Sequence, residues 1–315
     1  MSNALEVLTM GRVGVDVYPR QIGVGLEDVS PFGKYLGGSA TNVAVAAARY
    51  GRTSAVITRV GADPFGRFVR KALAGFGVSD AHVREVDGLQ TPVTFCEIFP
   101  PDHFPLYFYR QNAPDLQIRA AELDLDAVRA AGVFWVTVTG LCQEPSRSAT
   151  LAALAARGRA GITVLDLDWR PMFWTSPGDA RPWVRAALEH VTVAVGNVDE
   201  CEVAVGERDP AAAAAALRDL GVGLAVVKRG GDGVYAADGR HEVSVPPTPV
   251  EVVNGLGAGD AFGGALCHGL LAGWDLARTL RFGSAAGAVV ASRLACADAM
   301  PTGAEVESYL ATAAR

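Results

Sequence analysis

The chain has 315 residues, half of them hydrophobic, with 34 acidic against 28 basic side chains and a formal net charge of −6. A chain of this length can bury about three quarters of its unfolded surface in one large core, and its acidic balance argues against nucleic acid as a partner. No apolar run reaches the roughly 18 residues of a membrane span, and the N-terminus lacks the basic and apolar regions of a signal peptide, so a soluble cytoplasmic protein without membrane contact is expected.

In chain order, Gly11 to Asp16 reads as the end of a strand closed by an aspartate. Val13 to Leu36 alternates like strand but carries no helix. Ala40 to Tyr50 then follows as a helix stopped at Gly51, Ser54 to Val60 as a buried strand, and Phe65 to Phe76 as a helix stopped at Gly77. Thr91 to Arg110 again alternates without a helix: Pro92 to Phe99 and Leu106 to Arg110 are the arms of a hairpin divided by the proline-rich turn from Pro100 to Pro105. Val133 to Val138, Ile162 to Leu167, Val191 to Val195 and Leu224 to Val227 are short apolar runs of the kind found in parallel strands buried on both faces. Asp209 and Pro210 open a helix to Leu220, which makes the run Ala211 to Ala216 helical rather than a linker. The pattern is a βα repeat around a mostly parallel sheet, with the two helix-free excursions pairing as a small separate sheet.

The five cysteines are dispersed and never in Cys-x-x-Cys spacing, which fits reduced buried thiols. The five histidines form no pair with metal-ligand spacing.

Chemistry concentrates in Asn254-Gly255-Leu256-Gly257-Ala258-Gly259-Asp260, where small residues lead from a loop into a helix beginning near Ala258. Small residues let backbone N–H groups approach an anion, and the helix adds unpaired N–H groups and its positive dipole end. A carboxylate beside such an anion hole repels phosphate unless its task is to take a proton from the attacking nucleophile. That reads as phosphoryl transfer to a hydroxyl. The Gly-Lys-Ser/Thr ending of a P-loop is absent, and the position near the C-terminus does not suit a dinucleotide fingerprint.

Three further motifs accompany this loop in order: Gly37-Gly38-Ser39-Ala40-Thr41-Asn42, Asn197-Val198-Asp199-Glu200, and Lys228-Arg229-Gly230-Gly231-Asp232-Gly233. Together they resemble the ribokinase-like (PfkB-type) carbohydrate kinases over nearly the whole chain. The resemblance implies a three-layer α/β/α sandwich in one kinase domain spanning 1–315, with a mostly parallel central sheet and a small β lid from about 13–36 and 91–110. It implies Asp260 as the base and the amides of Gly257, Ala258 and Gly259 as the anion hole. It also implies Asn197, Lys228, Gly230, Gly233 and Ser284 near the nucleotide, and Glu200 organising Mg2+ through water. ATP and Mg2+ are the implied cofactors. Many relatives hold a monovalent cation with an aspartate and a threonine where this chain has Asn254 and Gly255, which leaves potassium activation in doubt. Lid-to-lid homodimers occur among relatives.

For the acceptor, the resemblance assigns Asp16 and Asn42 to sugar hydroxyls, with the double glycine Gly37-Gly38 letting the sugar sit close. Two arginines point to an acid: Arg110 at the end of the hairpin, and Arg170 in Asp166-Leu167-Asp168-Trp169-Arg170-Pro171, since guanidinium forks suit carboxylates. This segment, with its Asp168, looks like that of the 5-dehydro-2-deoxygluconokinases of myo-inositol catabolism, as do Lys34 to Ser39, Tyr109-Arg110 and Ala299-Met300-Pro301-Thr302. The implied reaction is transfer from ATP to the C6 hydroxyl of that acid. 2-Dehydro-3-deoxygluconokinase is the nearest rival, other sugar kinases such as ribokinase and fructokinase come behind, and a kinase-shaped binding protein without chemistry is the alternative from a different class.

Overall fold

The computed structural model describes residues 5–313. Its first half contains β1 (Val7–Met10), β2 (Gly14–Pro19), β3 (Phe32–Gly37), α1 (Ser39–Arg49), β4 (Ser54–Gly61), α2 (Pro64–Gly75), β5 (Val78–Ser79), β6 (Val83–Val86), β7 (Val93–Cys96), β8 (Leu106–Tyr109), α3 (Leu125–Ala130), β9 (Val133–Thr137) and α4 (Ser146–Arg157). There follow β10 (Ile162–Asp166), α5 (Pro177–Leu188), β11 (Val193–Asn197), α6 (Val198–Val205), α7 (Pro210–Asp219), β12 (Leu224–Lys228), β13 (Val234–Ala237), β14 (Glu242–Val245), α8 (Ala258–Leu271), α9 (Leu276–Ala291) and α10 (Gly303–Ala313).

The main sheet runs β14-β13-β12-β11-β10-β9-β1-β4-β5, with β6 also paired to β4. From β12 to β5 the pairing is parallel, and β13 and β14 add an antiparallel end. Strand alternation splits the core into two faces. Phe134 and Val136 of β9 belong to the core cluster shared with residues of α3, α4, α5, α6 and α7, whereas Val133 and Trp135 belong to the one shared with residues of α1, α8 and α9. This makes three layers, as βα repetition requires.

The two helix-free excursions form a separate four-stranded sheet, β3-β2-β7-β8. Both hairpin arms are shorter than the sequence pattern predicts: β7 and β8 pair over Val93–Cys96 and Leu106–Tyr109. Asp16 does not close a strand, as expected, but lies inside β2. The first strand ends at Met10, and a bend through Gly11, at φ +155, starts a new strand in the other sheet. The strand expected over 191–195 is displaced to Val193–Asn197, and the antiparallel end strands have no counterpart in the sequence reading. No helix among the described residues is long and apolar enough to cross a membrane.

Helices α1 and α8 pack unusually close because α8 carries Gly263 and Gly264 on its inner face. A Cβ on Gly264 would sit 2.3 Å from the Cβ of Ala46, and one on Gly263 would sit 2.7 Å from the ring of Trp135. Alanine normally improves a helix interior by about 1 kcal/mol over glycine, but overpacking a filled core costs about 1–3 kcal/mol. Gly264→Ala is therefore expected to lower the denaturant midpoint and to depress activity by separating α1 from α8; an unchanged or raised midpoint contradicts the packing argument.

Candidate active site

Most helices whose starts are defined receive a side-chain cap: Asp63 caps α2, Asp124 α3, Ser176 α5, Asn197 α6, Asp209 α7 and Asp275 α9. Helices α1 and α8 instead begin at Gly38 and Gly257, without any side-chain cap. Helix α4 also lacks a side-chain cap; in α8 the Ala258 N–H makes only a long bond of 3.4 Å to Gly255 O, so its first turn can still present N–H groups to an anion. Gly257 has φ +83, and Cys296 Sγ lies 2.8 Å from where its Cβ would be, so any other residue is both strained and crowded.

Asp260 stands in the first turn of α8 and is held from α1. Ser39 Oγ donates to its Oδ1 at 2.8 Å, and Asn42 Nδ2 donates to its Oδ2 at 2.7 Å. Burial and the nearby Asp168 carboxylate raise its pKa, against the pull of these two hydrogen bonds. A raised value brings a carboxylate closer to the range of a useful base. Asn42 Oδ1 is buried with no protein partner, an orphaned acceptor that a sugar hydroxyl can satisfy.

Three consecutive parallel strands end beside this carboxylate: β10 at Asp166, β11 at Asn197 and β12 at Lys228. The carboxyl ends of parallel strands are where open α/β sheets collect ligands. Lys228 Nζ lies 3.2 Å from where a Cβ on Gly259 would be, beside the anion loop. Burial works to discharge this lysine, but Asp166, Glu200, Asp260 and Asp168 together hold its pKa above the ordinary value. Asp166 is raised well above the ordinary aspartate by burial, with Lys228 opposing.

Asn197 and Glu200 form a reciprocal capping box: Asn197 Oδ1 accepts the Glu200 N–H at 2.9 Å, and Glu200 Oε2 accepts the Asn197 N–H at 2.7 Å. Among the described residues no three His, Cys, Asp or Glu side chains cluster to hold a metal alone. Glu200 and its neighbouring carboxylates are hard oxygen donors, a set that fits Mg2+, which takes one or two carboxylates with water and substrate phosphates. Gly230 and Gly233 lie in the turn after Lys228 at φ +58 and +86. Ser284, on α9, shares a hydrogen bond of 3.1 Å with Thr248.

In the small sheet, Asp16 is 4% exposed and accepts the Tyr18 hydroxyl at 2.8 Å. A Cβ on Gly37 would fall 2.1 Å from Asp16 Oδ1, so the double glycine makes room for that carboxylate. Burial raises the Asp16 pKa to about 6, with Arg12 and Tyr18 opposing. The two arginines expected to meet an acid both have protein partners. Arg110 donates through Nε to the buried Asp115 at 3.0 Å and stacks on Phe173, beside a cavity of about 550 Å³. Arg170 pairs with Asp168 at 2.7 Å. Sequence reasoning passed over Ser39 and Asp166 as site residues, although one adjoins the double glycine and the other ends an apolar strand.

A family model described as pfkB family carbohydrate kinase matches residues 4–303. The chain belongs to the pfkB family of carbohydrate kinases. It is 32% identical to the 5-dehydro-2-deoxygluconokinase of Geobacillus kaustophilus, over 97% of this chain and 93% of that protein. It is 30% identical to the enzyme of that name from Listeria monocytogenes, over 98% and 96%. The PfkB protein from Polaromonas sp. JS666 superposes with a TM-score of 0.85 at 26% identity, covering 97% of this chain and 100% of that one. The apo form of a putative ribokinase II from E. coli gives 0.90 at 24% identity, over 98% and 99%.

Another pfkB fold neighbour, a Vibrio cholerae fructokinase variant at 25% identity and TM-score 0.85, over 98% of this chain and all of that one, was crystallised with fructose, ADP and potassium. The present chain offers a poor donor set for such an ion at Asn254. This side chain is fully buried, donates through Nδ2 to Leu294 O at 2.7 Å, and accepts the Leu256 N–H at 3.0 Å. The opposite amide orientation would set two donors and two acceptors face to face. Ala291 O is likewise taken, by the N–H groups of Val253 and Asn254. Activity in potassium is thus expected to equal that in tetramethylammonium, checked by rate and melting temperature; severalfold potassium activation contradicts this reading.

The Asp16 environment gives a second expectation. A carboxyl raised from 3.8 to about 6 on folding leaves the protein most stable below pH 3.8 as far as this group is concerned, and that advantage is lost as pH rises through about 6. The ionised form then costs about 3 kcal/mol. Asp16→Asn should raise the melting temperature at pH 7.5 but not near pH 3.5, while weakening sugar binding; equal shifts at both pH values rule out titration as the cause.

Proposed function

We propose that this protein is an ATP-dependent kinase of 5-dehydro-2-deoxygluconate, acting on the C6 hydroxyl. The single observation that carries the reading is Asp260, held in the first turn of an uncapped helix by Ser39 and Asn42. Similarity to proteins named 5-dehydro-2-deoxygluconokinase along almost the entire chain supports the choice of acceptor.

In this mechanism Asp16, Asn42 and the backbone of Gly37 and Gly38 hold the sugar, and the C6 hydroxyl points at Asp260. Asp260 takes the hydroxyl proton as the oxygen bonds to the γ-phosphorus, and the bond to the ADP oxygen breaks. The N–H groups of Gly257, Ala258 and Gly259 face the charge that gathers on the transferring group, and Lys228 adds a fixed positive charge beside them. Glu200 would hold Mg2+, which when bound would neutralise phosphate charge. Asn197, Gly230, Gly233 and Ser284 border the nucleotide. The fixed hydrogen bonds to Asp260 keep its oxygen aimed without reorganisation during the step.

The small sheet serves as a lid over the sugar, closing to exclude water that would otherwise hydrolyse ATP. Its outer side exposes Phe32, Tyr107 and Tyr109, an apolar face suited to a homodimer through the lid. Arg110 and Arg170, expected from the sequence to meet the acid, stay paired with Asp115 and Asp168, so their charge is already matched and neither receives the acid's carboxylate.

The test couples ADP release to candidate acceptors. Turnover is expected with 5-dehydro-2-deoxygluconate, and turnover with 2-dehydro-3-deoxygluconate alone would reverse the assignment. Asp260→Asn should reduce kcat by at least on the order of 100-fold with nucleotide affinity retained; a smaller loss removes Asp260 from the role of base.

A further inference from the structure

Arg12 differs from every other arginine around the site. Among the described residues its side chain has no hydrogen bond and no ion pair, and its Nε is buried without a partner. A buried donor left unmatched is destabilising, so the empty Nε–H is a standing cost that an incoming acceptor relieves. The side chain is nevertheless held in place. Its guanidinium lies 5.0 Å from the centre of the Phe108 ring, and its backbone oxygen accepts the Thr41 hydroxyl at 3.2 Å. Phe108 packs edge-on against Phe173, and both line the cavity of about 550 Å³.

The competing arginines are less suitable. Arg110 and Asp115 are buried together, with side-chain exposures of 3% and 1%, so that guanidinium is already neutralised. Arg170 is bound to Asp168, and its charge acts on Glu200 and Asp260, the phosphoryl end of the site. Arg12 instead acts on Asp16, at the sugar end. In a six-carbon acid phosphorylated at C6, carboxylate and reacting hydroxyl occupy opposite ends of the molecule. The cation that receives the carboxylate must therefore stand away from Asp260.

We propose that Arg12 is the specificity-determining residue that receives the acceptor's carboxylate, with Phe108 holding its guanidinium plane. This inference rests on the acid-kinase reading above. A planar fork on an aromatic face offers two parallel N–H groups to a carboxylate, which a neutral sugar cannot use.

The experiment measures KM for 5-dehydro-2-deoxygluconate, for its neutral analogue with a C1 alcohol, and for ATP, in the wild type, Arg12→Lys and Arg12→Met. Methionine keeps the bulk against Phe108 and removes the charge. A hydrogen bond to a charged group is worth about 1.5–3 kcal/mol, so Arg12→Met should raise KM for the acid by about 10- to 100-fold. KM for ATP and for the neutral analogue should be unchanged, with Arg12→Lys partly restoring the acid. Equal KM for the acid in wild type and Arg12→Met overturns the inference while the kinase reading stands. A parallel rise for ATP and the neutral analogue also overturns it, as loss of structure. Absence of wild-type turnover with the acid sinks the underlying reading instead. Should Arg12→Met fail to fold, Arg12→Lys decides alone: a KM identical to wild type, without the fork, overturns the proposal.

Discussion

The carboxylate of Asp260 depends on two hydrogen bonds that cross from one helix to another, and most of the surrounding architecture serves that crossing. Asn42 and Ser39 lie 218 and 221 positions from Asp260 in the chain. They reach it because α1 and α8 pack through Ala46 and the glycines at 263 and 264, with little side chain between them. Close backbone approach in the core is thus converted into side-chain geometry at the surface of the sheet. Both helices also start at glycines that cap nothing, so their positive ends converge on one spot.

A second constraint is electrostatic. Asp166, Asp168, Glu200 and Asp260 share a confined space with Lys228 and Arg170. Burial penalises every charge in that group, and each cation offsets several carboxylates at once. Removing one member would leave its partners unmatched, which costs more than the pair contributes. The capping box of Asn197 and Glu200 spends part of this charge on the backbone, so the same residues end a strand, begin a helix and face the site.

The site's two halves are assembled from different sheets. Lys228, Asn197 and Asp166 terminate adjacent parallel strands of the main sheet, while Asp16 belongs to the small one. Motion of the small sheet would therefore displace Asp16 and leave Lys228, Asn197 and Asp166 in place. Tyr18 links the halves at rest, since its hydroxyl bonds Asp16 at 2.8 Å and lies 3.0 Å from the Sγ of Cys296, which backs Gly257.

The sequence by itself determined what depends on local chemistry. Apolar runs between glycine-stopped helices marked the buried parallel strands, since a strand covered on both faces has no polar alternation to hide it. The Gly-Ala-Gly-Asp turn pointed to a helix start carrying a carboxylate, and α8 does begin at Ala258 with Asp260 in its first turn, because both features lie within one helical turn. Where burial and pairing decide, local pattern was insufficient. It gave no sign that Arg110 is neutralised by Asp115, that Asp166 faces Lys228, that Ser39 holds Asp260, or that the sheet gains an antiparallel end. Strand order and helix packing alone bring such groups together, and a charged side chain acquires its meaning from the partner it meets there.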